Sequence, residues 1–324
     1  MNTKNRIIDY PHAKITKKST LFSVLKQGFQ LATEGYKHKS KKYRRKQQWK
    51  ILFHSLCNPR FSAEWFDLLS SVNYSYIFSV RPRLYIKPFR TYISVKWNKH
   101  KKLKVIFDSY RLMRSENNLF SKLLYENKRN ELALLPIGDD YSASLILGYD
   151  DQFRKEGEII LSLECDGLGG RVVSVAFSFE EIEEGRWVCW VGCVQGHALK
   201  MHQATKLIQK LMHGLRPNSF IVVALQDLCR NLGCDAIYCV ADSAHSYRKK
   251  HAVHLPWRHK IDFDYDEFWQ DIGAKKVDQH WFELPLVRAR KEMSELKTKK
   301  RAMYRKRYTM LDEVAINISN AVNR

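Results

Sequence analysis

Apolar residues return at helical intervals through the first third of the chain. Leu21, Val24, Leu25 and Phe29 share one face of Ser19 to Gln30, and Trp49, Leu52, Phe53 and Leu56 repeat the spacing until Asn58-Pro59 halts it. Two amphipathic helices are predicted. SAEWFDLLS predicts a third, short one with Ser62 as its N-cap. YSYIFSV and LYIKPFRTYISVKW carry the aromatic and β-branched content of extended structure, interrupted by Pro82 and Pro88. Helical spacing resumes in Leu103, Ile106, Phe107, Tyr110, Leu119, Leu123 and Leu124, with a break near Glu116-Asn117-Asn118.

After about residue 130 the period changes. ELALLPI, SASLILGY, GEIILSLEC, RVVSVAFSF and RWVCWVGCVQ are short apolar or alternating runs separated by turn-forming stretches, which predicts sequential antiparallel strands. A helix through ATKLIQKLM to Gly214, a second through NSFIVVALQDLCRNLG, and a strand, DAIYCVAD, follow. Asp264 and Glu267 in DFDYDEFWQDIGA match an N-cap and its reciprocal acid. WFELPL reads as a last strand, and a long closing helix lines Tyr304, Tyr308, Leu311, Ala315 and Ile318 along one stripe. The fold class is therefore α+β: a helical N-terminal part, a mixed and largely antiparallel sheet with helices, and a basic C-terminal helix. The expected division is 1–130, 131–287 and 288–324.

Composition changes the picture through charge. The 324 residues are 44% hydrophobic, enough for a sizeable core, and carry a net charge of +22, which attracts phosphate-rich or acidic surfaces. The charge is uneven. Residues 1–60 hold +13, 61–130 hold +9, 131–200 hold −8, 201–287 hold +1 and 288–324 hold +7. Two basic runs interleave tyrosine with Lys and Arg: KHKSKKYRRK, with Lys41, Lys42, Arg44 and Arg45, read as a loop or solvated helix start, and KTKKRAMYRKR, with Lys299, Lys300, Arg301, Arg305, Lys306 and Arg307. Such runs contact acidic lipid head groups or nucleic-acid phosphates, or serve only as solvated faces.

MNTKNRIIDYPHAK lacks the apolar stretch of a signal peptide, and no run nears the roughly 20 apolar residues of a spanning helix. The expectation is a cytoplasmic protein, peripheral at the inner membrane if lipid is its partner. Seven cysteines in mostly apolar runs read as buried reduced thiols.

VGCVQG, ATKLIQKLMHGLRP, ALQDLCRNLG, YDEFWQDIGA, WFELPL and KTKKRAMYRKRY occur in an order that resembles the VirK/YbjX family of enteric bacteria. The resemblance implies a virulence-associated accessory protein that supports the cell envelope and the surface display of virulence proteins, with an envelope precursor or client virulence protein as partner. It implies no reaction and no catalytic residues.

The order of strands and helices is similar to the N-acetyltransferase (GNAT) fold. That likeness implies an acyl-CoA or acyl-carrier donor, bound near Gln195, Gly196, Arg216 and Asn218 where a helix N-terminus offers free N–H groups to a pyrophosphate. The spaced glycines of such a turn are absent and Pro217 removes a donor, so Arg216 reads first as the partner of an internal carboxylate and only second as a ligand contact, and Gln195-Gly196 reads equally as a plain turn. Asp242 and His245 could form an acid-base pair at a strand end, or simply a loop beside a helix cap. His245, His251, His254 and His259 with Asp262, Asp264 and Asp266 gather metal-capable groups, but in no metal-binding spacing, and the aspartates suit helix capping; no metal is assigned. The functional readings that remain are an envelope accessory protein, an acyltransferase and a nucleic-acid-binding factor.

Overall fold

The computed structural model describes residues 20–71, 75–138, 140–197, 204–248 and 263–323, and the chain divides after Phe89 into two compact units.

The first unit is helical. It contains α1 (Leu21–Gly35), α2 (Lys41–Cys57), α3 (Pro59–Ser70), α4 (Ser75–Val80) and a 3-10 stretch, Pro82–Phe89. Thr20 and Ser40 cap α1 and α2 by accepting the Ser23 and Tyr43 N–H groups. Pro59 stops α2 because it cannot donate, and the same lack suits it to open α3. The N-cap of α3 is therefore Asn58, and Ser62 lies one turn inside and buried, not at the cap the sequence suggested. Trp65 donates its indole N–H to the Tyr85 carbonyl at 2.7 Å, in a core shared with Ile51, Phe61, Phe66 and Ile77.

The extended structure expected over YSYIFSV and LYIKPF is absent. Leu84, Tyr85 and Ile86 are all buried in succession, so the alternation of a half-buried strand is missing, and Pro82 presets the dihedral angle of a helical turn. Bulky β-formers here fill a helical core.

The second unit comprises α5 (Lys99–Ser115), α6 (Asn117–Tyr125), β1 (Asn130–Ile137), β2 (Tyr141–Gly148), β3 (Ile159–Cys165), β4 (Gly170–Glu183), β5 (Arg186–Gly196), α7 (Ala204–Leu211), α8 (Pro217–Asn231), β6 (Cys234–Val240), α9 (Tyr265–Asp271), β7 (Lys275–Lys276), β8 (Trp281–Leu284) and α10 (Thr298–Val322). The strands form one sheet in the order β1-β2-β3-β4-β5-β6-β8-β7. Neighbours are antiparallel except β5 and β6, which run parallel. A parallel pair needs a crossover, and α7 and α8 supply it.

Two helices read from sequence as the end of a 1–130 region belong to this unit for a specific reason. β3 pairs with β4 only as far as Phe177, which leaves the next N–H groups of β4 without a strand on that side. Side chains of α5 take them: Ser109 Oγ accepts the Phe179 N–H at 2.9 Å and Asp108 accepts the Glu181 N–H at 3.1 Å. Charge then fastens the helix. Lys104 bridges Asp108 at 2.5 Å, Lys101 pairs with Glu180, and Arg111 pairs with Glu181. α10 packs on α8.

The sheet carries a bulge where β4 faces β5: Ala176 pairs with Cys193 and Phe177 with Val191, so Gly192 is the extra residue. The segment Glu156–Glu158 crosses at this point. A Cβ on Gly192 would lie 1.9 Å from the Glu156 carbonyl oxygen, and one on Gly157 would lie 2.4 Å from the Phe177 nitrogen. Backbone meets backbone with no room for a methyl group.

Gly192→Ala is expected to destabilise the protein by more than about 3 kcal/mol, because both clashing partners are main chain. Gly185→Ala, with a positive φ but open space around it, should lose only about 1 kcal/mol. Urea unfolding of the two variants checks the contrast; equal losses would remove the close approach as the cause.

Candidate functional site

Three places collect the residues singled out by sequence. The first is a buried cluster beneath the sheet bulge. His245, 1% exposed, is sandwiched between the rings of Tyr265 and Tyr247, with centroids at 4.8 and 5.9 Å and planes nearly parallel. Its Nδ1 faces the Tyr247 backbone N–H at 3.4 Å, which puts the ring proton on Nε2. Nε2 lies 3.6 Å from Oε1 of Glu156. The carboxylate beside His245 is thus one that sequence reasoning passed over, because Glu156 sits in the polar, turn-like stretch DDQFRKEG, where nothing local signals its burial. Asp242 sits at the end of β6, where its N–H donates to Asp266 at 2.8 Å.

Burial governs the ionisation of this cluster. Desolvation pushes Glu156 up to about 7, although a hydrogen bond from Cys193 and the charge of Lys155 oppose it. The same burial, with Glu156 adding to it, pushes the Cys193 thiol well up, so it is a core thiol and not a nucleophile. Tyr265 donates to the Val194 carbonyl at 3.2 Å and is raised by burial and by the Cys193 and Glu156 charges. The group can store a proton, shut away from solvent.

The second place is the end of β5. This strand runs on to Gly196, beyond its last pairing with β6 at Val191, and a Cβ on Gly196 would come within 3.9 Å of Asn218 Oδ1 at the start of α8. Gln195, Gly196 and Asn218 are therefore brought together. Arg216 is the N-cap of α8 without capping it through its side chain, is exposed, and among the described residues forms no ion pair. The internal carboxylate partner expected for it is not among those residues.

The third place is the pair of basic runs, which differ. Lys41, Lys42, Arg44 and Arg45 form the solvated helix start, the second of the two readings offered by the sequence: they open α2, with no acid in its first turn. Cations at the positive end of a helix are disfavoured by its dipole, and an incoming anion relieves both. The exposed face continues through Trp49, 72% exposed, Phe53, 65%, and Leu56, 53%, at spacings of four and three. Lys42 and Arg45 precede Trp49 by seven and four positions and so extend the same stripe. Leu21, Phe22 and Phe29 on α1 are exposed as well.

On α10 the apolar stripe is used up, because Leu311, Val314 and Ile318 are buried. Lys299, Lys300, Arg305 and Lys306 are exposed. Arg301 donates to the Leu296 carbonyl at 3.0 Å, and Arg307 donates twice to the His213 carbonyl, at 3.1 and 2.7 Å. These two arginines are anchored on main-chain carbonyls, which fixes their guanidinium groups without neutralising them.

His251, His254, His259 and Asp262 lie outside the described residues. Asp264 caps α9 by accepting the Glu267 N–H at 2.9 Å, and Asp266 accepts from Asp242 and Lys276, so both aspartates have structural work.

A platform that the sequence did not reveal spans the neighbouring strands β5, β6 and β8: Trp190 meets Tyr238 at 4.9 Å and Trp281 at 4.5 Å, Trp97 stacks on Trp281 at 5.5 Å, and Lys101 lies 4.6 Å over Trp190. Four separated segments converge there, which no local pattern could show.

Residues 40–320 match the family described as "Protein of unknown function (DUF535)". An Escherichia coli K12 relative, "Uncharacterized protein YbjX", is 30% identical over 279 residues, 84% of this chain and 82% of the relative. A Haemophilus influenzae "Uncharacterized protein" is 28% identical over 231 residues, 70% of this chain and 74% of the relative. No solved structure matches. No described helix is long and apolar enough to cross a membrane.

The Glu156 carboxyl gives a pH test. With a folded pKa of about 7 against an ordinary 4.5, it binds more protons folded than unfolded in that window. Stability is therefore fullest below pH 4.5 and falls as pH rises toward 7. Glu156→Gln, which cannot ionise, should gain on the parent protein across the window, by about 3 kcal/mol at most. Denaturant melts at several pH values read the difference, and a gap that stays constant across the window would mean that the carboxyl ionises freely.

Proposed function

The chain belongs to the DUF535 family, and from that premise we propose that it is an accessory protein of the bacterial envelope that docks on anionic lipid through α2. The VirK/YbjX resemblance supplies the wider role: support of the envelope and of virulence-protein display, from the cytoplasmic face of the inner membrane. One observation carries the docking: the exposed stripe of α2 on which Lys42 and Arg45 lead into Trp49, Phe53 and Leu56. An interfacial helix needs cations for the head groups and large apolar side chains for the acyl boundary, in that amphipathic arrangement. Nucleic acid could use the cations and stack on Trp49, but it has no use for Leu56 beside Phe53.

The acyltransferase reading keeps one supporting observation, the free end of β5 beside the N-terminus of α8, where Gln195, Gly196, Arg216 and Asn218 would receive an acyl-CoA. Against it, Pro217 removes one of the N–H donors at that helix start that could have met a pyrophosphate. If the reading holds, acetyl-CoA or a longer acyl-CoA raises the melting temperature and Arg216→Ala abolishes the rise; no rise with any donor ends it.

For the lipid reading, vesicles of phosphatidylglycerol should bind the protein in co-sedimentation, vesicles of phosphatidylcholine should not, and added salt should weaken the binding. Trp49→Ala with Phe53→Ala should lower binding about tenfold while leaving the melting temperature unchanged, since both side chains face solvent. Tighter binding to RNA than to anionic vesicles, unaffected by the double substitution, would transfer the function to nucleic acid.

A further inference from the structure

A cavity of about 190 Å³ opens between α8, the loop after β8 and α10. Five cations and two acids line it, and the acids are committed. Asp227 holds Arg230 at 2.6 Å, and Asp312 takes both Nη groups of Arg290 as a fork. Arg288, Lys291 and Arg307 remain, and among the described residues none of them has a carboxylate partner. Three positive charges therefore converge on one hollow without neutralisation.

Arg288 is the least comfortable of the three. It is half-buried, and its guanidinium is held below the ordinary range first by that burial and then by the charge of Arg307. Arg307 is rigid. It lies with its guanidinium carbon 4.2 Å over the Tyr304 ring and is anchored on the His213 carbonyl, which leaves its remaining N–H groups to face the cavity. His213 is itself lowered by burial and then by Lys306 and Arg307, a sign of the positive field at this end of the fold. Tyr308 is fixed by bonds to the Lys291 main chain, and Arg290 lies 5.1 Å over its ring. The lining also includes apolar side chains: Val223, Val287, Leu311 and Ala315.

We infer that this cavity is a binding site for an organic phosphate monoester, its phosphate held by Arg288 and Arg307 and its carbon portion against Val223 and Leu311. A carboxylate would neutralise one charge of a hollow lined by both Arg288 and Arg307, whereas a phosphate dianion meets both, Arg307 through the N–H groups that the His213 carbonyl leaves over. The volume is below the roughly 300–1,000 Å³ of pockets for drug-sized ligands, so the organic portion is short, or is the head of a molecule whose tail lies outside. The chemistry is the same for a soluble phosphate ester and for the head of a phosphatidate-type lipid.

The test uses the full chain, with butyl phosphate, inorganic phosphate and butyrate as probes at constant ionic strength. Butyl phosphate should raise the melting temperature most, inorganic phosphate less and butyrate least. Arg288→Gln should weaken butyl phosphate binding about tenfold. Without phosphate the same variant should melt no lower than the parent, because a buried, self-repelling charge has been removed. That is a readout a structural arginine would move the other way.

Arg288→Lys, which keeps the charge and loses the fork, should fall between. If the substituted protein fails to fold, phosphorus NMR titration of the parent decides the question by the presence or absence of binding. Sedimentation with phosphatidate vesicles, using Trp49→Ala with Phe53→Ala to remove the α2 contribution, tells a lipid head from a soluble ester. No response to butyl phosphate beyond that of sodium chloride, or unchanged affinity in Arg288→Gln, overturns the site. Neither result touches the docking of α2, which lies in the other unit.

Discussion

Gly192 and Gly157 allow two stretches of main chain to meet where any other residue would hold them apart, and much of the second unit follows from that contact. The bulge at Gly192 lets β4 and β5 shift register, and the crossing segment delivers the Glu156 side chain beneath it. Glu156 then finds Cys193, His245 and the tyrosines that enclose them. A carboxyl in that setting cannot keep its ordinary acidity, because burial withdraws the water that would stabilise its charge. The cluster is thus a consequence of backbone geometry, and its chemistry a consequence of burial.

A second constraint settles where the chain's acids go. The acidic middle of the sequence is not a free surface of opposite sign to the ends. Glu180 and Glu181 are matched by Lys101, Lys104 and Arg111 from α5, and Glu164 by Arg129 and Arg171. The charge of residues 61–130 therefore cancels in part against that of 131–200. Among the described residues, α2 and α10 each carry exposed cations that this pairing leaves over.

Legibility followed the range of the forces involved. The strands from β1 to β6 and the helices α7 to α10 could be read because their apolar spacing is local and strong. The break at Glu116 between α5 and α6 could be read for the same reason. The stretch from Ser75 to Phe89 could not, since aromatic and β-branched residues favour strands only when a neighbouring strand exists, and here they fill a helical core. The docking of α5 on β4 depends on where β3 ends, which no window of sequence contains. His245 was legible as a candidate, but Glu156 was not, because their meeting requires the bulge.

The two basic ends, similar as sequence, have become different devices. In α10 the stripe from Tyr304 to Ile318 is spent on packing against the body of the unit, Arg307 is turned inward to the His213 carbonyl, and what remains is a rigid cationic hollow. In α2 the stripe from Trp49 to Leu56 is unspent, and the cations beside it sit at the wrong end of the helix dipole. A packed stripe leaves only charge to recognise a ligand, which suits a small, dense anion held by oriented donors. An open stripe offers apolar area together with charge, which suits an extended amphiphilic surface. Composition alone could not separate these cases; the difference lies in which apolar faces the fold had already buried.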